Sequence, residues 1–164
     1  MIDCRTALQT IGNKTLLEHH RKLAFFCSKR CPGEIILKIQ DWANGLDGKT
    51  LLPMSGFHTP VEQEVLRILL RSRHPLIIFP ARSIGAMRIP ADWKSALDTG
   101  TLCIASNFPA SVRRATVTTA EGRNRRVASL SDEILIPYAA PGGKTEELLR
   151  EFPSKIIDYN VYVK

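Results

Sequence analysis

Long apolar segments are absent from this sequence of 164 residues. No run approaches the roughly 18 apolar residues that a membrane-spanning helix requires. The stretch from Met1 to Thr10 includes Asp3 and Arg5 and has no apolar signal core, so we expect no secretory peptide. These absences exclude a membrane partner and favour a cytoplasmic protein.

Cysteine is also scarce, and the four cysteines are irregularly spaced. Without an export signal, free thiols in a reducing compartment are the simplest interpretation. A zinc site would need a second cysteine pair, so we predict no metal and no cofactor. Cys31 lies beside basic residues and a helix start, which could lower the pKa of its thiol. A reactive Cys31 is therefore an alternative to an unreactive cysteine at this position. The cysteines are Cys4, Cys27, Cys31 and Cys103.

Acidic residues are fewer than basic ones, 16 against 23, which gives a net charge of +7 and favours anionic partners. Between Ser111 and Arg126 there are five arginines and one acid, Glu121. Such a run is commonly a solvated face. Because the planar arginine fork also suits paired contacts to phosphate, a binding role is the second interpretation. The arginines are Arg113, Arg114, Arg123, Arg125 and Arg126.

Short apolar runs alternate with helical patterns along most of the chain. The runs are mostly continuous rather than alternating, which is typical of parallel strands covered on both faces. The pattern predicts an α/β protein, a Rossmann-like, doubly wound, mostly parallel sheet of about six strands with helices on both faces. Strands are predicted at Leu23–Cys27, Thr50–Ser55, Pro75–Pro80, Leu102–Ser106, Glu133–Ala139 and Ile156–Val161, and helices at Glu34–Leu46, Pro60–Arg71, Asp92–Leu97, Ala120–Leu130 and Lys144–Glu151.

We find no linker, repeat or low-complexity tract. The sequence therefore predicts a single domain over residues 1–164, with residues 1–22 as an N-terminal helical extension and residues 23–164 as the α/β core. Ligands of such sheets bind at the carboxyl ends of the strands. The loops that follow the strands are therefore the candidate sites.

The loop after the first strand combines basic residues with a helix start. Ser28, Lys29 and Arg30 precede Pro32 and Gly33, and free amides at a helix N-terminus bind phosphate. An ordinary strand-to-helix turn is the alternative.

After the second strand, Ser55 and Gly56 allow a close backbone approach. There Thr59 and Glu62 have the spacing of a capping box, and His58 is either a packing residue or a catalytic one. The third strand runs into Arg82, another arginine at the ligand edge.

The last loop contains a glycine turn, Gly142-Gly143, followed by Lys144. It is not a nucleotide-binding P-loop, because Tyr138 stands where that motif requires glycine. A glycine turn that leads into a helix N-terminus still offers amides to phosphate or ribose.

Several of these pieces together resemble the core of the DNA-processing protein A family. They are Ser55-Gly56, Arg123-Asn124-Arg125 at the start of a helix, Ala128 to Ser131, and the turn Pro141-Gly142-Gly143. The resemblance extends from about Leu23 to Glu151. It implies a Rossmann-like core that binds nucleotide or single-stranded DNA, with a role in DNA uptake or recombination.

The resemblance also implies roles for individual residues. Arg123 and Arg125 would contact phosphate, Ser55 and Gly56 would form the pocket floor, and Asn124 would orient the loop. Aromatic residues are only 7% of the chain, and Phe57, Phe79 and Phe108 alone are expected near the edge for base stacking. The full set of predicted binding residues is Ser28, Arg30, Gly33, Ser55, Gly56, Arg82, Arg113, Arg123, Asn124, Arg125, Gly142, Gly143 and Lys144.

A second resemblance belongs to another functional class. The segment from Pro141 to Glu147 is similar to a motif of nucleoside-monophosphate phosphoribohydrolases, in which a glutamate helps to cleave the glycosidic bond, but it is one residue short. Glu146 or Glu147 would take that role. Alternatively, these carboxylates would only interact favourably with the dipole of the helix that they begin. A sensor that binds a nucleotide without catalysing a reaction is a third alternative.

We assign no catalytic residue, and a homodimer is the default expectation for such a domain.

Overall fold

A computed structural model of the chain describes residues 7–163 and contains a central sheet of six strands. The strands are β1 (Gln9–Gly12), β2 (Lys22–Phe25), β3 (Leu52–Ser55), β4 (Leu76–Ile78), β5 (Leu102–Ser106) and β6 (Glu133–Leu135). Their order across the sheet is β1-β5-β4-β3-β2-β6. Strands β2 to β6 are parallel, whereas β1 pairs antiparallel with β5. The predicted mostly parallel α/β sheet is therefore confirmed.

Helices cover both faces of the sheet. Because successive side chains of a strand point to opposite faces, Leu23 and Phe25 pack with one group of helices, and Ala24 and Phe26 pack with the other. The first group is α1 (Gly33–Asn44), α2 (Pro60–Arg71) and α3 (Ala91–Asp98), and the second is α4 (Val117–Leu130) and α5 (Lys144–Glu151). None of the helices within residues 7–163 is long and apolar enough to span a membrane.

Two helices begin at capping boxes. Helix α2 begins after Thr59, whose side chain accepts from the Glu62 amide while the Glu62 carboxylate accepts from the backbone at Thr59, as the spacing predicts. Helix α4 begins after Thr116, where Thr119 takes the reciprocal position. The helix predicted from Ala120 therefore starts at Val117, because the Thr116 cap satisfies amides of its first turn.

The predicted helical extension over residues 1–22 differs from the structure. Residues 1–6 lie outside the described part of the chain. Beyond them, Gln9–Gly12 forms strand β1 against β5, and only the short 3₁₀ helix Lys14–Glu18 is helical. Pairing with β5, about ninety residues away, overrides the local pattern in this segment.

The strand predicted at Ile156–Val161 is also wrong. Ile156 forms only an isolated bridge to Ile134 of β6. Asp158 then caps a short helix, α6 (Tyr159–Tyr162), by accepting from the Asn160 amide. The count of six strands holds because β1 takes the place of this predicted strand.

Replacing Gly12 by alanine distinguishes strand β1 from a helix. Gly12 has a φ of +91°, and an added Cβ would overlap the carbonyl oxygen of Leu102. We expect Gly12→Ala to lower the free energy of unfolding by about 1–3 kcal/mol. In a helical extension the same change would raise it by about 1 kcal/mol. Urea unfolding measures the difference, and a stabilised variant would contradict the strand.

Candidate functional site at the carboxyl edge of the sheet

Five loops leave the carboxyl ends of the parallel strands at one edge of the sheet, which we call the carboxyl edge. They follow β5, β4, β3, β2 and β6, in that order along the edge. The residues predicted to bind a ligand lie in these loops, at the strand ends or in the helices that follow. Arg123-Asn124-Arg125 lies in the second and third turns of α4 rather than at its start, because α4 already begins at Val117.

The order of the strands reverses between β2 and β6, the position where ligands of such sheets commonly bind. Here the two loops are bonded directly to each other. The Ser28 amide donates to the Tyr138 carbonyl at 3.0 Å, and Ser28 Oγ accepts from the Ala140 amide at 2.8 Å. Ser28 therefore joins the loops, while Arg30 is exposed and Gly33 faces open space.

A buried carboxylate lies under the neighbouring loops. Glu62 is only 5% exposed, and besides its capping role its Oε2 accepts from the Cys27 amide at 3.0 Å. Its Oε1 accepts from the His58 amide, also at 3.0 Å. Glu62 thus holds the loops after β2 and β3 together. Sequence reasoning found the cap but missed the bond to Cys27, because the two residues are 35 positions apart and no local pattern links them.

Arg123 is the buried cation of the same region. Its side chain donates from Nη1 to the Phe79 carbonyl at 3.0 Å and from Nε to Asn124 Oδ1 at 2.7 Å. Burial lowers the pKa of Arg123, and the charge of Glu62 opposes that shift. The guanidinium of Arg123 is thus held by two neutral oxygens, and it fixes the loop after β4.

Ser55 and Gly56 lie beneath the surface of the edge. Ser55 is fully buried, and its Oγ accepts from the Phe57 amide at 3.2 Å. Gly56 packs against the guanidinium of Arg123, which occupies the space that any Cβ at position 56 would need. In this structure the close approach that Gly56 permits is to Arg123.

The loops after β4 and β5 are tied to each other and carry exposed arginines. Ser83 donates from both its amide and its Oγ to the Val112 carbonyl at 2.9 Å, and Ser106 Oγ donates to the Arg82 carbonyl at 2.7 Å. Arg113 and Arg114 are exposed, and no other described side chain pairs with theirs. Arg82 is half-buried and donates to the Ser83 carbonyl.

Arg125 and Lys144 lie at the other end of the edge, in a cleft between α4 and α5. Arg125 is bonded to Glu151 at 2.9 Å, and Lys144 Nζ lies 3.3 Å from Glu121. Glu147 faces both cations, at 3.8 Å from Arg125 and 3.4 Å from Lys144. The hydrogen bond to Glu151 is the largest cause that raises the pKa of Arg125. The hydrogen bond to Glu121 is the largest cause that raises the pKa of Lys144. Both predicted phosphate contacts therefore already have anionic partners.

The thiol of Cys31 does not have the lowered pKa that its basic neighbours favour. Burial raises the pKa of Cys31, and burial also raises the pKa of the enclosed Cys27 beside it. Cys27, Cys31 and Cys103 are free thiols, and Cys4 lies outside the described residues. Within residues 7–163 no three His, Cys, Asp or Glu side chains converge to hold a metal ion.

A double-mutant cycle tests the packing of Gly56 against Arg123. We expect Gly56→Ala alone to lower the free energy of unfolding by about 1–3 kcal/mol, because the new methyl displaces a buried guanidinium. Arg123→Ala alone should cost about 1–3 kcal/mol, because it leaves the buried Phe79 carbonyl without its donor. In the Arg123→Ala background, Gly56→Ala should cost less than about 0.5 kcal/mol. Urea unfolding of the four proteins gives the coupling energy, and additive losses would contradict the contact.

No family model and no curated protein matches the sequence. Two solved structures match the fold. DNA processing protein A from Helicobacter pylori, described for its single-stranded DNA binding mode, has a TM-score of 0.72 at 18% identity over 94% of this chain and 74% of that chain. DNA processing protein A from Streptococcus pneumoniae has a TM-score of 0.72 at 16% identity over 95% of this chain and 57% of that chain. This chain thus spans little more than half of the pneumococcal protein, and it has the Rossmann-like fold of DNA processing protein A.

Proposed function

We propose that this protein binds single-stranded DNA through phosphate contacts along the carboxyl edge. The observation that carries the proposal is the pair of linked loops after β4 and β5, which presents Arg113 and Arg114 to solvent without a partner among residues 7–163. The net charge of +7 supports an anionic ligand. The H. pylori protein of the same fold has a single-stranded DNA binding mode.

In this proposal the exposed cations of the edge act as a row, because the loops that carry them follow different strands of the sheet. Arg113 and Arg114 follow β5, Arg88 follows β4, and Lys29 and Arg30 follow β2. Neighbouring strands lie about 4.8 Å apart, so three strand steps from β5 to β2 span about 14 Å. A row of this length suits consecutive phosphates of one extended strand better than a single nucleotide.

The ligand is held by its backbone in this proposal. The aromatic residues expected at the edge are all buried, with Phe57 at 4%, Phe79 at 2% and Phe108 at 6% exposure. They are enclosed in the core, so they offer no open rings for base stacking. Binding should therefore depend little on sequence and strongly on salt.

A role in DNA uptake or recombination, a cytoplasmic location and a homodimer belong to the same proposal. The full activity of DNA processing protein A is likewise a proposal for this chain, which spans only part of those structures.

The phosphoribohydrolase and nucleotide-sensor alternatives stay predictions. The contacts in the cleft between α4 and α5 count against a phosphate there, because three glutamates surround Arg125 and Lys144.

Fluorescence anisotropy with labelled oligothymidine at several salt concentrations tests the proposal. Each phosphate contact to a single strand contributes a slope of about −0.7 in log affinity against log salt. The variant Arg113→Ala/Arg114→Ala should therefore bind roughly tenfold or more weakly at low salt, with a slope shallower by about 1.4.

A matched control removes two positive charges from the opposite edge of the sheet. Lys49 and Arg71 are both exposed there, before β3 and at the end of α2. Lys49→Ala/Arg71→Ala should keep the wild-type slope. The proposal is wrong if the two double variants lose the same amount of affinity. It is also wrong if the wild type does not bind the oligothymidine at low salt.

A further inference from the structure

Helix α5 carries carboxylates that occupy the cations at the β6 end of the carboxyl edge. Arg125 donates from Nε to both Glu151 oxygens, at 2.9 and 3.0 Å, and its Nη2 also reaches Glu151 at 2.9 Å. Its Nη1 lies 3.9 Å from Glu121. Lys144 lies within 3.4 Å of both Glu121 and Glu147. These contacts satisfy both cations from within the protein.

The glycine turn before α5 is occupied in the same way. Gly142 has a φ of +73°, and its amide donates to Glu146 Oε2 at 2.7 Å. Glu146 is itself paired with Arg150 at 3.3 Å. A carboxylate of the same helix therefore accepts from an amide of the kind that would otherwise bind phosphate.

The local charges differ between the two ends of the edge. In the cleft between α4 and α5, the three carboxylates Glu121, Glu147 and Glu151 outnumber the two cations that they contact, Arg125 and Lys144. At the β5 end, Arg113 and Arg114 are exposed without a partner among the described residues. The cations at the β5 end are therefore open to a polyanion, whereas those in the cleft already have carboxylate partners.

We propose that α5 is an autoinhibitory element whose Glu147 and Glu151 compete with nucleic-acid phosphates for Arg125 and Lys144. This inference rests on the proposed function and adds its regulation. Removal of the two carboxylates takes from Arg125 its hydrogen-bonded partner Glu151 and leaves Glu121 of α4 as the remaining carboxylate near both cations.

The contact is of a kind that a ligand is able to displace. The paired side chains are partly exposed, from 24% for Glu121 to 59% for Lys144, and partly exposed ion pairs contribute little to stability and weaken with salt. Among the residues of α5, Leu148 is the buried one, so one apolar side chain anchors the helix on the sheet.

The test compares single-stranded DNA binding by the wild type and by Glu147→Gln/Glu151→Gln, using labelled oligothymidine over a salt series. Glutamine keeps the size of the side chain and removes the charge. We expect tighter binding, with a slope that is steeper by about 0.7 for one freed cation and about 1.4 for two. If circular dichroism shows that the double variant is unfolded, Glu147→Gln alone should give the smaller change.

The control raises the net charge equally at the opposite edge. Asp41 and Asp98 are exposed near the ends of α1 and α3, and Asp41→Asn/Asp98→Asn should leave the slope at the wild-type value. Equal gains in both double variants, or no gain in the α5 variant while the wild type binds, would overturn the autoinhibition and leave the proposed function standing. Absence of binding by both the wild type and the α5 variant would overturn both proposals.

Discussion

The arrangement of the carboxyl edge depends on two opposite charges inside the protein, Glu62 and Arg123. Both are 5% exposed, and isolated ions of this kind are too costly to bury without compensation. Glu62 accepts from amides in the loops after β2 and β3, and Arg123 donates to a carbonyl in the loop after β4. Three loops that share no sequence neighbourhood are therefore positioned by the hydrogen bonds of two buried charged side chains. Gly56 is required because the guanidinium fills the space beside it.

A consequence is that the arginine-rich stretch does not act as one patch. Arg123 is buried with Glu62, Arg125 is neutralised by glutamates of α4 and α5, and Arg113 and Arg114 alone face solvent without such partners within the described residues. The formal charge of the stretch is thus a poor measure of the field that a ligand meets. Surface potential depends on which charges are exposed and unpaired, and tertiary packing, such as that of α4 against α5 at Arg125, decides this.

The parallel core was predictable because each strand from β2 to β6 carries its own continuous apolar run. Strand β1 was not, since its existence depends on pairing with β5, and neither was the end of the chain, where Asp158 caps a helix within an apolar run. In the site, the position of each loop followed from topology, as the edge location of Arg82 illustrates. Whether each charged side chain is buried, paired or free could not be predicted from the sequence. The bond from Cys27 to Glu62 and the pairing of Arg125 with Glu151 join segments that are distant along the chain.

Two backbone sites for anions in this fold are already filled by the protein's own carboxylates. Glu62 accepts from the His58 and Thr59 amides just before α2, and Glu146 accepts from the glycine turn before α5. A negative side chain at a helix start satisfies free amides and the helix dipole, so both contacts favour the folded state. A tethered carboxylate also competes with any free anion at high effective concentration. The proposed binding of single-stranded DNA therefore does not need these two backbone sites, because it relies on exposed side chains such as Arg113 and Arg114.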